Sequence, residues 1–238
     1  MLIPTAFVIG TTDVPTITRL ERQEKQKDRV NIYLDGEFAF GLNELDAASL
    51  RKGQILTEEE IVQLRDLDAV VRAFDQAVRY LSYRPRSRQE IQQYLKGKKT
   101  ISPETQERAI TRLETAGYLD DRAFARYWIE NRTQFQPRGP HALRYELRQK
   151  GIAPTLIEEL LRETVDVDAT AYQAASNQGR RLRGLTRHEY RQKMGAFLQR
   201  RGFGYSTASQ IIRRLIDELA DSEPPFFAAD RPNEEDDE

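Results

Sequence analysis

The sequence predicts a mainly α protein: an elongated curved array of three tandem three-helix repeats, preceded by a small α/β head that contains a β-hairpin. Three observations carry this. Apolar residues alternate on both sides of Asp35-Gly36, which is hairpin patterning. From about Asp68 onward the apolar residues recur at helical spacing instead. Those helical segments then match one another at offsets of 52 and 51 residues, and repeated helical units bury a continuous core only by stacking. With 39% hydrophobic and 32% charged residues in 238, the chain is lean in apolar content, as an extended protein with a large surface would be.

The head, residues 1–66, opens on a meander. Val30, Ile32 and Leu34 precede Asp35-Gly36, and Phe38 and Phe40 follow. A type I′ turn needs positive φ at both central positions, which Asp-Gly tolerates. Ile17 to Gln23 adds a third strand, and Asn43 caps a short helix ending near Gly53. Thr57 and Glu60 form a capping box ahead of Ile61, Val62 and Leu64. Nothing in the head reads as catalytic.

The first repeat, 67–117, begins with Val70, Val71, Phe74, Val78 and Leu81 at helical spacing, and Pro85 stops that helix. Ser87 with Glu90 caps a second helix carrying Ile91, Tyr94 and Leu95. Pro103 after Ser102 starts a third, with Ala109, Ile110 and Leu113 inside and Gly117 at its end. The second repeat, 118–165, has a helix capped by Asp120 with Phe124, Tyr127, Trp128 and Ile129, then Leu143 and Leu147, then Leu156, Ile157, Leu160 and Leu161. The third, 166–220, has a helix from about Asp168 to Leu182, then Met194, Phe197 and Leu198, then Ile211, Ile212, Leu215 and Ile216. Residues 221–238 read as an acidic, disordered tail.

Aligning Pro85-Arg86 with Pro137-Arg138 puts Ile91 on Leu143, Tyr94 on Glu146, Leu95 on Leu147 and Lys96 on Arg148. A further step puts Leu143 on Met194, Leu147 on Leu198, Gly151 on Gly202 and Ile152 on Phe203. Glycines at matched turns argue against chance similarity between amphipathic helices.

Composition excludes several kinds of chemistry. There is no cysteine, so disulfides, thiolate metal sites and cysteine nucleophiles are ruled out. His141 and His188 are the only histidines, too few for a multi-histidine metal centre. No Walker A loop, GxSxG elbow or HExxH motif occurs. Asp120-Asp121 reads as a helix cap plus a dipole complement rather than a metal pair, and no cofactor or metal is expected. No run approaches ~20 apolar residues, and Met1 to Gly10 lacks a basic n-region. A cytoplasmic, monomeric protein without a membrane anchor is the expectation.

Charge is strongly segregated. Residues 1–71 carry a net -5, residues 72–216 a net +13 and residues 217–238 a net -9. The central cations are mostly arginine, which suits bidentate contacts to phosphate or carboxylate. Arg84, Arg86 and Arg88 cluster around a helix start beside Tyr80 and Tyr83, and Lys96, Lys98 and Lys99 follow the same helix. Arg126 and Arg132 flank Trp128, while Arg138, Arg144, Arg148 and Lys150 occupy the matching segment of the second repeat. The densest run is Arg180, Arg181, Arg183, Arg187, Arg191 and Lys193, and Arg200-Arg201 repeats the theme. Cations at equivalent places in successive repeats would line one groove able to follow a polyphosphate backbone or an acidic protein surface. The tail acids would fold over that face and weaken nonspecific DNA binding. Trp128, Tyr127 and Tyr118 read as core residues before base-stacking platforms. Two other classes stay open: a stand-alone helix-turn-helix-type DNA-binding protein, and an enzyme with a dispersed site, such as a nuclease.

The segment Tyr80-Leu81-Ser82-Tyr83-Arg84-Pro85-Arg86-Ser87 with Glu90 and Leu95 resembles the opening of the RecX family. Gly117-Tyr118-Leu119-Asp120-Asp121, Phe124-Ala125, Pro137-Arg138-Gly139-Pro140, Leu143, Leu147 and Gly151-Ile152 extend the likeness over roughly 68–216. The head, with Asp35-Gly36-Glu37-Phe38-Ala39-Phe40-Gly41-Leu42, is similar to the amino-terminal extension of longer members, whereas the acidic tail is less typical. The resemblance implies a regulator of the RecA recombinase, mostly an inhibitor, that binds along the groove of the RecA–DNA filament and modulates recombination and DNA repair. It also implies secondary binding to single- or double-stranded DNA. It implies no catalytic residues.

Overall fold

The computed structural model describes residues 14–24 and 28–229. The expectations for Met1 to Gly10 and for the acids from Asp230 onward lie outside the described residues. The chain divides into two compact units. The first contains the residues up to Arg84 together with Ile91–Tyr118; the second contains Pro85–Glu90 and the residues from Leu119 onward.

In the first unit β1 (Ile17–Arg22), β2 (Arg29–Leu34) and β3 (Glu37–Asn43) form an antiparallel sheet in the order β1-β2-β3. Asp35 and Gly36 have φ of 50° and 93°, the two positive values a type I′ turn requires. Ile17, Ile32, Leu34, Phe40 and Leu42 are buried on one face with Ala47, Leu56 and Ile61. Phe38, expected on that face, is 60% exposed. The register explains it. Ile32 pairs with Phe40 but Tyr33 pairs with Phe38, so Ala39 is an extra residue in β3. A bulge of this kind reverses the alternation beyond it. Phe38 therefore shares the outer face with Tyr33, ring centroids 5.9 Å apart, and the Arg19 guanidinium lies 3.8 Å from the Tyr33 centroid.

Asn43 caps α1 (Glu44–Ala47), which ends well before Gly53. The Thr57–Glu60 capping box starts α2 (Glu58–Leu81), one helix of 24 residues. It runs unbroken across residue 66, where the sequence reading separates head from first repeat. No proline or glycine stands between 58 and 81 to interrupt it. Its Asp68, 2% exposed, pairs with Arg29 of β2, and Arg72 Nε lies 2.9 Å from the other carboxylate oxygen. This buried pair fastens the sheet to the helix. Helices α3 (Arg88–Lys96) and α4 (Pro103–Thr115) bury Ile91, Leu95, Ala109, Ile110 and Leu113.

The second unit holds α5 (Asp121–Phe135), α6 (Pro140–Gln149) and α7 (Pro154–Thr164), around Phe124, Ile129, Leu143, Leu147, Ile157 and Leu160. It continues with α8 (Val167–Gly179), a 3-10 turn (Arg180–Leu182), α9 (Arg187–Arg200) and α10 (Tyr205–Ser222), around Tyr190, Met194, Leu198, Phe203, Ile211 and Ile212. Every apolar pair matched by the repeat, Ile91 with Leu143, Leu95 with Leu147, Leu143 with Met194, Leu147 with Leu198 and Ile152 with Phe203, is buried in both copies. The protein is thus mainly helical, with a small antiparallel sheet ahead of three three-helix domains.

Part of the expected tail is ordered differently. α10 extends to Ser222, and Phe226 is 2% exposed within the α8–α10 core. Gly184 N donates to Phe226 O and Ala228 N to Leu185 O, at 3.0 Å each. The apolar pair Phe226-Phe227 outweighs the acidic composition here: burying one such ring gains about 1.5–3 kcal/mol.

Candidate basic interface

In the α8–α10 domain the backbone itself lays out a cationic run. α8 ends in the 3-10 turn bearing Arg180 and Arg181, then Arg183 and Gly184 (φ 82°) turn the chain into α9, capped by Thr186 and Glu189. Arg180, Arg181, Arg183, Arg187 and Arg191 are all exposed. Arg187 opens α9, where the helix dipole disfavours positive charge by about 0.3–1 kcal/mol, and Arg191 follows one turn later. Arg183 is engaged with Glu223 at 3.4 Å and faces the Phe226 ring, while Arg187 faces the Phe227 ring at 5.9 Å. Among the described residues Arg180, Arg181, Arg191 and Arg200 have no acidic partner within ion-pair distance.

Next to this run lies a cleft of about 800 Å³ lined by His141, Arg191, Gln199, Gly202, Tyr205 and Arg213. Tyr205 is 89% exposed. Arg201, which precedes Gly202 in the chain, donates through Nη1 to Pro137 O at 3.4 Å, and its guanidinium lies 5.1 Å from the Phe197 centroid. Burial first, and then the like charge of Arg138, lower the Arg201 pKa. The Arg138 Nε is buried without a hydrogen-bond partner.

The cations of the α5–α7 domain are arranged differently. Glu146 accepts from Trp128 Nε1 at 2.8 Å and Arg132 Nε at 2.7 Å, with Arg138 Nε 3.6 Å from its other oxygen. Arg144 grips Glu158 through two bonds of 2.7 and 2.9 Å, which raises the Arg144 pKa and lowers that of Glu158. Arg126 lies 3.3 Å from Glu163, and Lys150 2.7 Å from Glu90. Arg148 is exposed. So Arg126, Arg132, Arg138 and Arg144 each stand against an acid of their own domain. Arg84, Arg86 and Arg88 are likewise engaged within the protein, and Arg88 N donates to Asp121 Oδ1 at 2.7 Å. Lys96, Lys98 and Lys99 are exposed at the end of α3, where Lys98 Nζ lies 4.9 Å from the Tyr94 ring, itself stacked on Tyr80 at 4.0 Å.

Sequence reading missed Glu146 as a charge node, and it missed Tyr205 and Arg213 beside the cleft. A single acid between Arg144 and Arg148 was the available signal for the first. Tyr118 and Tyr127, read as core, are 54% and 45% exposed, whereas Trp128 packs against the α5–α7 core. Among the described residues no cluster of three metal-ligating side chains occurs, and no helix is long and apolar enough to cross a membrane.

Comparison with known proteins converges on one family. The model of the "Regulatory protein RecX N-terminal domain" matches residues 15–57, and those of the first, second and third RecX three-helix domains match 73–113, 120–161 and 166–212. Regulatory protein RecX of Lactobacillus delbrueckii subsp. bulgaricus is 36% identical over 210 residues, covering 85% of this chain and 75% of that protein. Regulatory protein RecX of Bacillus subtilis is 34% identical over 206 residues, covering 85% and 78%. A crystal structure of regulatory protein RecX superposes with a TM-score of 0.70 at 30% identity, covering 83% of this chain and 98% of the other. That of RecX from Lactobacillus salivarius, at 23% identity and a TM-score of 0.55, shares the fold over 63% of this chain and 97% of its own. With the head and all three helical triplets accounted for in order, the chain belongs to the RecX family of regulatory proteins.

Proposed function

We propose that this protein regulates the RecA recombinase in the cytoplasm, mostly as an inhibitor, by lodging in the groove of the RecA–DNA filament. Its basic surface contacts DNA phosphate and acidic RecA side chains of neighbouring protomers, and its bulk excludes incoming duplex. The observation that supports this reading is the run Arg180–Arg191, five exposed arginines of which only Arg183 has an acid within ion-pair distance among the described residues. Charge supplies fast, salt-sensitive encounter and shape supplies selectivity. No catalytic group enters, and no cofactor is needed.

The test is inhibition of strand exchange and ATP turnover by preassembled filaments on single-stranded DNA. The variant Arg180→Glu, Arg181→Glu, Arg191→Glu spares Arg183 and Arg187, which pack on the phenylalanine anchor. It should lose at least about tenfold in inhibitory potency with an unchanged helical circular dichroism signal. Full inhibition by that variant rejects the reading. A pull-down against DNA alone and free RecA separates it from stand-alone duplex recognition, which would retain sequence-specific DNA and ignore the filament.

A further inference from the structure

The family models end at residue 212, and the chain beyond them is tied down at a specific place. After α10, Glu223 meets Arg183, Phe226 enters the α8–α10 core, and Ala228 N bonds to Leu185 O. The Tyr190 ring meets Phe226 at 6.3 Å and Phe227 at 5.3 Å between centroids, both edge-on. These contacts deliver the chain at Ala228 to the loop that starts α9, beside Arg187. The sequence then closes with Asp230-Arg231-Pro232-Asn233-Glu234-Glu235-Asp236-Asp237-Glu238, six acids and one arginine.

We propose that this acidic segment, 230–238, docks on the cationic surface of its own α8–α10 domain, along Arg187 and Arg191, and competes there with polyanionic ligands. Length suffices. Nine extended residues reach about 30 Å, and a 14-residue helix such as α9 is about 21 Å long. Direction suffices as well. Arg187 and Arg191 are one turn apart on the same side of α9, and Arg191 leads to the cleft that Arg213 and His141 line. Charge complements charge, and the anchor at Phe226 holds the segment at an effective concentration on the order of millimolar. The competition rests on the basic surface binding anions, as proposed above; the docking does not.

The absence of cysteine lets a single engineered thiol carry a spin label. With the label at Asp236→Cys in the full chain, amide resonances of residues 187–192 should broaden at about 50 mM salt and recover near 0.5 M, where the Debye length falls to about 4 Å. Unbroadened amides at low salt overturn the docking. Broadening that appears only when labelled and isotope-enriched chains are mixed places the contact between copies and also overturns it. For the competition, a chain ending at Ala229 keeps the phenylalanine anchor. It should bind a single-stranded oligothymidine about 3- to 10-fold more tightly than the full chain at low salt, with the difference lost at high salt. Equal affinity at low salt overturns the competition. Should neither chain bind the oligonucleotide, the DNA part of the proposed function fails, while the amide broadening still decides the docking.

Discussion

Tyr190 is enclosed between α8, α10 and the Phe226-Phe227 pair, and its hydroxyl has no protein hydrogen-bond partner. Burial pushes its pKa up to about 12 from 10.0. The phenol must stay neutral in the folded chain, whereas the unfolded chain ionises near pH 10. Its contribution to stability is therefore intact below about pH 10 and drains away as the pH rises toward 12. Tyr190→Phe should remove that alkaline sensitivity in melts between pH 8 and 11, and should leave neutral-pH stability unchanged or up to about 1 kcal/mol higher. Glu146 makes the opposite case, because it satisfies Trp128 and two arginines. Glu146→Ala should cost about 2–3 kcal/mol in urea unfolding by stranding half-buried cations. The caps at Asn43, Thr57, Ser87, Asp120 and Thr186 rest on residues within three positions of one another, so such caps are readable in a sequence. Arg29 with Asp68 and Glu146 with Arg132 span 39 and 14 positions, and no local pattern announces them.

Helix boundaries followed the same logic. The prolines at 103, 140 and 154 start α4, α6 and α7, and Gly117, Gly151 and Gly202 follow the ends of α4, α6 and α9 at φ of 74°, 78° and 86°. Strand alternation was legible up to the bulge at Ala39, which depends on pairing with β2 and not on β3 itself. The close seam between α6 and α9 was visible only as a matched glycine. There Gly139 N donates to Arg201 O at 2.9 Å and His141 N to Gly202 O at 3.2 Å. Carbonyls ending α9 thus satisfy amides at the start of α6 that no side chain caps. A Cβ on Gly202 would stand 2.4 Å from Ala142 N, at a φ that L residues avoid. Gly202→Ala should lower the melting temperature by several degrees, about 2–4 kcal/mol. The C-terminal anchor predicts a contrast of its own. Ending the chain at Ala220 discards Phe226 and should cost about 3–5 kcal/mol, while ending it at Ala229 keeps that anchor and should cost far less.

The segregation of charge along the chain, with a basic body between acidic ends, was plain from composition, and so was the threefold recurrence of helices. Which cations are available was not. In the α5–α7 domain Glu146, Glu158 and Glu163 come from helices other than those of the arginines they neutralise, so that domain has little positive charge to spare, and the exposed run Arg180–Arg191 of the α8–α10 domain stands out instead. If three to five phosphates are neutralised there, single-strand affinity should fall about 10- to 100-fold between 50 and 200 mM salt. A titration series in sodium chloride reads that slope directly, and a flat response would move the recognition to uncharged contacts.

The seam where α9 ends on α6 has a practical corollary. The second triplet borrows main-chain oxygens from the third to finish its own middle helix, so the triplets are not interchangeable cassettes. A chimera that swaps one for a homologue's copy has to carry Gly139, Gly202 and the intervening backbone together, or the graft meets its neighbour with a collision on one side and thirsty amides on the other.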